Sequence, residues 1–464
     1  MAYRIEHDSL GGMAVPDNAY YGVHTQRALT NFDIGHEKLY HYPTLIQALA
    51  YLKAACAQAN AAEGLLAPEK AAAIETACQQ LLAGQHHDQF VLDVLQGGAG
   101  TSTNMNANEV IANLALESLG FAKAAYSNVH PNDDVNMGQS TNDVYPSALR
   151  LALLLALPDL LTQLAALAQA LEARAADGES LVKIGRTQLQ EAVPLTVAQD
   201  LRAHAAALQR GHRQLQQASH LLYELNLGGT AIGTGINTTP GFAPLALAAL
   251  TKATGLPLTL APDKIAATQD VSDFAEFSGV LKRVALTLSK FCNDLRLLSS
   301  GPRSGFCEFL LPAKQAGSSI MPGKVNPVIP EVVNQIAFEI MGNDVTIGLA
   351  AEAGQLQLNA FEPVIGWSLL KGLQHLTHGV ETLRVNCVEG LRFNVSAIAT
   401  HLQDSAGVAT ALVPHLGYEV AARLAKEAQV TGTPVFELAR RQALADDETL
   451  ARWLAPESLT RPNL

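Results

Sequence analysis

A chain of 464 residues with 43 acidic against 31 basic side chains carries a formal net charge of −12, which argues against nucleic acids and anionic membranes as partners. Aromatic residues make up only 5% against an apolar content of 48%, so the core material is mostly Ala, Leu and Val, a helix-forming set. Charged residues, at 16%, fall below the roughly 25% of average domains, so much helix surface is expected to be buried, between subunits as well as within one.

Residues Met1 to Asp8 lack a basic start followed by an apolar core, so no secretory signal is expected. Tyr20 to Arg27 reads as a compact polar loop before a first long helix near Pro43–Glu63, with Pro43 suited to a first helical position. Gln96 to Asn106 is rich in Gly, Thr, Ser and Asn, without the GK[ST] ending or preceding strand of a P-loop. It runs into helical periodicity from Asn108 to Leu119, which places amides and hydroxyls at a helix N-terminus, an anion site. His130 to Asn136 and Gly138 to Asp143 form a third polar cluster, equally suited to capping helices.

From about Pro146 the pattern becomes one of long helices. Leu160, Leu164, Leu167 and Leu171, and again Phe277, Leu281, Val284, Leu288, Phe291, Leu295 and Leu298, step by four and three, the seam of a helical bundle. The apolar run Leu151–Leu157, stopped by Pro158-Asp159, is too short to span a bilayer. Gly185 to Pro194 reads as a polar interruption between two helices, and Gly228 to Gly235 as an inter-helix turn. After Pro330 one helical stretch is expected to run to about Val385 with a kink at Pro363, and His415 to Arg440 to give two short helices around Thr431–Pro434. The expected fold is all-α in three parts: a mixed, mainly helical domain over 1–139, a long-helix bundle over 140–394 and a small helical domain over 395–464.

A rod from Pro146 to Ala176 is roughly 45 Å long. The clusters at its ends, Ser140–Asn142 and Thr187–Gln188, then cannot meet within one nearly straight subunit, but can meet between antiparallel bundles of different subunits. Cys56, Cys78, Cys292, Cys307 and Cys387 show no CxxC spacing, which points to reduced thiols in the cytoplasm and no zinc site.

Gly317-Ser318-Ser319-Ile320-Met321-Pro322-Gly323-Lys324-Val325-Asn326-Pro327 sets two hydroxyls, a cation and an amide between long apolar runs, with glycines and prolines that forbid a regular helix. Together with Thr101, Ser140, Thr141, Asn142, Thr187 and Gln188 it assembles neutral hydrogen-bonding groups around one cation. No carboxylate pair, His cluster or dinucleotide fingerprint accompanies them, so the natural ligand is a small polyanion held without metal or cofactor. Composition does not decide which of Ser318 and Ser319 is the reactive one.

The loop resembles the GSSxMPxKxNP signature of the aspartase/fumarase superfamily, and the resemblance covers nearly the whole chain. It implies a three-domain fold whose central bundle forms the core of a homotetramer, with composite sites for a dicarboxylate. It also implies Ser318 as the base that takes a proton from carbon, and Lys324 and Asn326 as carboxylate anchors. The enediolate that results needs fixed donors around two oxygens, here Thr101, Ser140, Thr141 and Ser319, while Asn142, Thr187 and Gln188 face the amino group. Ser318, a weak base, needs activation by loop N–H groups and the Lys324 charge.

Tyr20–Thr25, Gly98–Thr101 and Ser140–Asp143 are similar to motifs of the aspartase branch, which implies reversible conversion of L-aspartate to fumarate and ammonia. Gln188 stands where fumarases, and some aspartases, have His, and it offers a carbonyl but no titratable proton. The alternatives are a fumarase, a lyase for N-substituted aspartates, and a silent scaffold, against which the intact Ser318, Lys324 and Asn326 count. His24 and His130 are read as structural or orienting.

Overall fold

A computed structural model describes residues 2–462. A hairpin of β1 (Tyr3–Asp8) and β2 (Gly11–Pro16) leads to helices α1 (Val23–Asn31), α2 (Pro43–Ala62), α3 (Pro68–Leu82) and α4 (Thr101–Ser118). Next come α5 (Thr141–Ala176), the hairpin of β3 (Val182–Thr187) and β4 (Gln190–Thr196), and α6 (Val197–Ala218). Helices α7 (Phe242–Thr254), α8 (Lys264–Gln269), α9 (Ser272–Leu298), α10 (Val328–Glu352) and α11 (Glu362–Leu383) follow. The chain closes with α12 (Val395–Asp404), α13 (Val413–Leu416), α14 (Tyr418–Thr431), α15 (Val435–Arg441), α16 (Asp447–Trp453) and α17 (Pro456–Thr460). The fold is mostly helical, and among the described residues strands form only two-stranded sheets.

The chain divides into two compact units. The first takes residues up to Leu161 with Gln214–Arg283 and Glu339–His375, and packs α2 on α3 and α7, α3 on α4, and α1 on α4. Pro43 does stand at the start of α2, and Ile46, Leu49, Leu52 and Cys56 of that helix are fully buried, each large apolar side chain contributing about 1.5–3 kcal/mol. The second takes Thr162–Arg213, Val284–Phe338 and everything from Leu376. In it β3 packs on α12, and Leu412, Leu424, Val435, Leu438 and Leu450 form an apolar cluster of the C-terminal helices. The bundle-seam residues Leu160, Leu164, Leu167 and Leu171 are buried, as are Phe277 to Leu295, whereas Leu298 is half-exposed.

Several boundaries differ from the sequence reading. The Tyr20–Arg27 stretch is not all loop: α1 begins at Val23, because Glu109 on α4 accepts from the amides of Gly22, His24 and Thr25 and Glu6 accepts from that of Val23. Helix α5 starts at Thr141 and runs through both Pro146 and Pro158. Pro146 leaves the Asn142 carbonyl without its helical N–H partner, and Asn226 Nδ2 donates to that oxygen instead, at 2.9 Å. The whole of α5 is thus long and apolar enough to cross a membrane by length and composition, although half of its most apolar window is buried within the protein. The stretch after Pro330 is two helices rather than one kinked helix. Asn359 separates them: its Nδ2 donates to Ala350 O at 2.9 Å and Ala351 O at 3.1 Å at the end of α10, and its Oδ1 accepts from Phe361 N at 2.8 Å before α11. Gly185–Pro194 is not an inter-helix loop but most of the β3–β4 hairpin.

Candidate active site

The candidate residues fall into two groups, one in each unit. In the first unit Gly98, Ala99 and Gly100 take left-handed φ values of +91°, +55° and +87°, and the chain then enters α4 at Thr101, which is exposed. A Cβ on Gly100 would stand 2.5 Å from the Tyr145 ring, so only glycine lets this turn close on α5. The amide and hydroxyl of Thr103 both donate to Gln96 Oε1 at 3.0 Å, fixing the first turn of α4. At the start of α5, Ser140 Oγ accepts from Asn142 N at 3.2 Å, and Thr141 Oγ1 accepts from Asn104 Nδ2 of α4 at 3.2 Å, so the two helix starts are tied together. Asn142 Nδ2 donates to Ala231 O at 2.7 Å, which leaves its carbonyl oxygen as the acceptor for a ligand.

Two buried charges underlie this group: Asp143, read from the sequence only as part of a polar cluster, and Lys53, which the sequence reading passed over. Asp143 accepts from Ser140 N at 2.9 Å, Gly228 N at 2.9 Å and Thr230 N at 3.1 Å, so the Gly228–Gly235 turn braces α5 as well as joining elements. Burial pushes the Asp143 carboxyl up to about 6 against those amide donors. Lys53 is fully buried, with Nζ donating to Asn136 Oδ1 at 2.9 Å and Gln139 Oε1 at 2.8 Å, and burial pulls its pKa down to about 8. Asn136 Oδ1 also accepts from Asn104 Nδ2 at 3.1 Å, so the ammonium is linked through amides to Thr141. A signal was present: Lys53 is the one charged residue within the Ala- and Leu-rich α2.

In the second unit the 317–327 loop folds back on itself. Gly317 N donates to Lys324 O at 2.9 Å and Asn326 Nδ2 donates to Gly317 O at 2.6 Å. Ser318 Oγ, half-buried, accepts from Ile320 N at 3.2 Å and Met321 N at 2.9 Å, while Ser319 and Lys324 are exposed. Two N–H donors on one hydroxyl oxygen favour its ionised form. A cavity of about 790 Å³ borders the Lys324–Asn326 end of the loop, lined also by Arg296, Ser300, Glu331 and Arg392. Thr187 and Gln188 are exposed at the tip of the β3–β4 hairpin, where Gln188 and Leu189 both hold left-handed angles (φ +55° and +63°), a turn geometry that neither residue favours.

The two histidines have structural contacts. His130 Nδ1 accepts from the amides of Asn132 at 3.2 Å and Asp133 at 3.1 Å and caps the turn that follows, so the cap of this cluster is a histidine. The backbone amide of His24 is held by Glu109, and burial lowers the pKa of its ring.

The family model described as Lyase matches residues 11–342, and the one described as Fumarase C C-terminus matches residues 408–461. Over 462 residues the chain is 52% identical to aspartate ammonia-lyase of Pseudomonas aeruginosa, covering 99% of this chain and 98% of that protein. It is 49% identical to aspartate ammonia-lyase of Helicobacter pylori J99, covering 99% and 98% of the two chains. Among solved structures, fumarate lyase:delta crystallin from Brucella melitensis superposes with a TM-score of 0.96 at 49% identity, covering 99% of this chain and all of that one. Class II fumarase from Schistosoma mansoni gives 0.92 at 35% identity, covering 98% of each chain. The chain belongs to the aspartate ammonia-lyase family of carbon–nitrogen lyases.

Proposed function

We propose that this protein reversibly eliminates ammonia from L-aspartate to give fumarate. Ser318 takes the C3 proton, the electron pair forms an enediolate on the β-carboxylate and then the C2=C3 bond, and nitrogen leaves as neutral ammonia. Thr101, Ser140, Thr141 and Ser319 hold the β-carboxylate and Lys324 and Asn326 the α-carboxylate. Asn142, Thr187 and Gln188 accept from the amino group. The substrate reading rests on end-to-end identity with aspartate ammonia-lyases, and the base on the two amides that donate to Ser318 Oγ.

The protein acts as a cytoplasmic homotetramer with three domains per chain and composite sites. That reading is supported by the 36 residues of α5 between Ser140 and the β3 hairpin, and by the separate apolar cluster of the C-terminal helices. The likeness to a class II fumarase makes L-malate the informative competitor. Fumarate absorbance should rise with L-aspartate and negligibly with saturating L-malate, since Gln188 carries no titratable proton for water chemistry. Comparable rates on the two substrates would return the chain to the fumarases.

A further inference from the structure

The hairpin that carries Thr187 and Gln188 is anchored by a carboxylate outside it. The Glu308 side chain is 0% exposed; its Oε1 accepts from Arg186 Nη2 at 2.8 Å and meets His401 Nδ1 at 2.9 Å, and its Oε2 lies 3.4 Å from Lys183 Nζ. Its backbone is equally fixed, with N–H donating to Leu298 O and C=O accepting from Asn394 N, both at 2.9 Å. Burial pushes the Glu308 carboxyl up, but the Arg186 hydrogen bond, the Lys183 charge and His401 outweigh it and hold the group below the usual carboxylate range.

On a regular strand Lys183 and Arg186, an odd step apart, would point to opposite faces. The register slips between Ile184 and Arg186, where two β4 residues, Ala192 and Val193, stand opposite Gly185 alone, whose Cβ would lie 2.8 Å from Val193 O. Such a bulge re-aims the strand. Next to this distortion Arg186 and Lys183 both reach the same carboxylate, and the Arg186 guanidinium also lies over the Phe306 ring, 4.2 Å from its centroid. Thr187 is the next residue and Gln188 begins the turn, so the direction of both depends on how the bulge is held.

We infer that Glu308 is a positioning residue: by holding Lys183 and Arg186 beside the register slip it sets the direction in which Thr187 and Gln188 face the amino group of the substrate. The inference rests on the proposed roles of Thr187 and Gln188. The full-length Glu308→Gln variant tests it by steady-state kinetics on L-aspartate and by hydrogen–deuterium exchange of residues 183–191. The expected result is a loss of kcat/KM of roughly 10- to 100-fold, as for a misplacement of up to about 1 Å, with faster exchange confined to the hairpin. On a Gln188→Ala background the same substitution should cost less than about threefold, because a tip already disabled has nothing left to misplace.

Additive losses in the two backgrounds, or unchanged hairpin exchange, would overturn it. If the wild-type protein does not turn over L-aspartate, the function reading fails while the exchange measurement still decides the inference. If Glu308→Gln does not fold, Arg186→Lys, which keeps the cation and loses the planar fork, supports or overturns it by the same two readouts.

Discussion

Gly317→Ala is the substitution whose effect follows most directly from the loop geometry. A Cβ there would stand 2.4 Å from Lys324 O and 2.9 Å from Asn326 N, and both are backbone atoms that cannot rotate aside. Restoring ordinary contact requires the two sides of the loop to part by about 1 Å. That separation strains the Gly317 N–Lys324 O bond at 2.9 Å and the Asn326 Nδ2–Gly317 O bond at 2.6 Å, each worth about 1 kcal/mol. Most of the loop is exposed, so global stability should hardly change. The groups proposed to act in catalysis move instead, and a displacement of about 1 Å costs on the order of 100-fold in rate. Gly323→Ala is the control. Its φ of +79° makes Ala unfavourable by about 1–2 kcal/mol, but no atom lies within 4 Å of the new Cβ. Steady-state fumarate production and thermal unfolding should therefore show Gly317→Ala much the more damaged in kcat/KM, with both variants melting near the wild type. A Gly317→Ala enzyme with more than a third of wild-type activity, or a worse Gly323→Ala enzyme, would refute the argument.

Ser318→Ala should fold and assemble normally yet lose about a thousandfold or more in turnover, within the range of a lost general base, and retention of a tenth of the rate would move the role to Ser319. Lys324→Met should raise the Michaelis constant for L-aspartate roughly 10- to 150-fold, the worth of a charge-assisted contact, and an unchanged constant would remove Lys324 from the substrate site. Refolding Ser318→Ala together with Thr101→Ala should recover part of the activity if sites are shared, whereas proven subunit exchange without recovery would count against composite sites.

Glu362 is wholly buried, and burial raises its carboxyl from the ordinary 4.5 to about 8, with the Arg150 charge opposing. A raised carboxyl is neutral in the folded state, so its contribution to stability is full below about 4.5 and is lost as pH rises through about 8, a change of several kcal/mol at most. Urea midpoints measured between pH 5 and 8 should therefore fall less steeply for Glu362→Gln than for the wild type; equal slopes would show that Glu362 ionises freely.

What the amino-acid sequence determined by itself is everything that depends on near neighbours. The four-three seam of Leu160–Leu171, the proline start of α2 and the Gly432 end of α14 are legible because periodicity, a missing N–H and a left-handed angle are local properties. The 317–327 loop was legible for the same reason, since its donors, glycines and prolines sit side by side. Tertiary structure alone decided the rest. The start of α1 depends on Glu109, more than 80 residues away, and the passage of α5 through Pro146 on the Asn226 side chain. The hairpin at 182–196 was hidden because its turn is made by Gln188 and Leu189 rather than Asn-Gly, and because its β3 strand is secured by the distant Glu308. In each case a backbone group or buried charge is satisfied by a partner far along the chain, and no local pattern records such a partner.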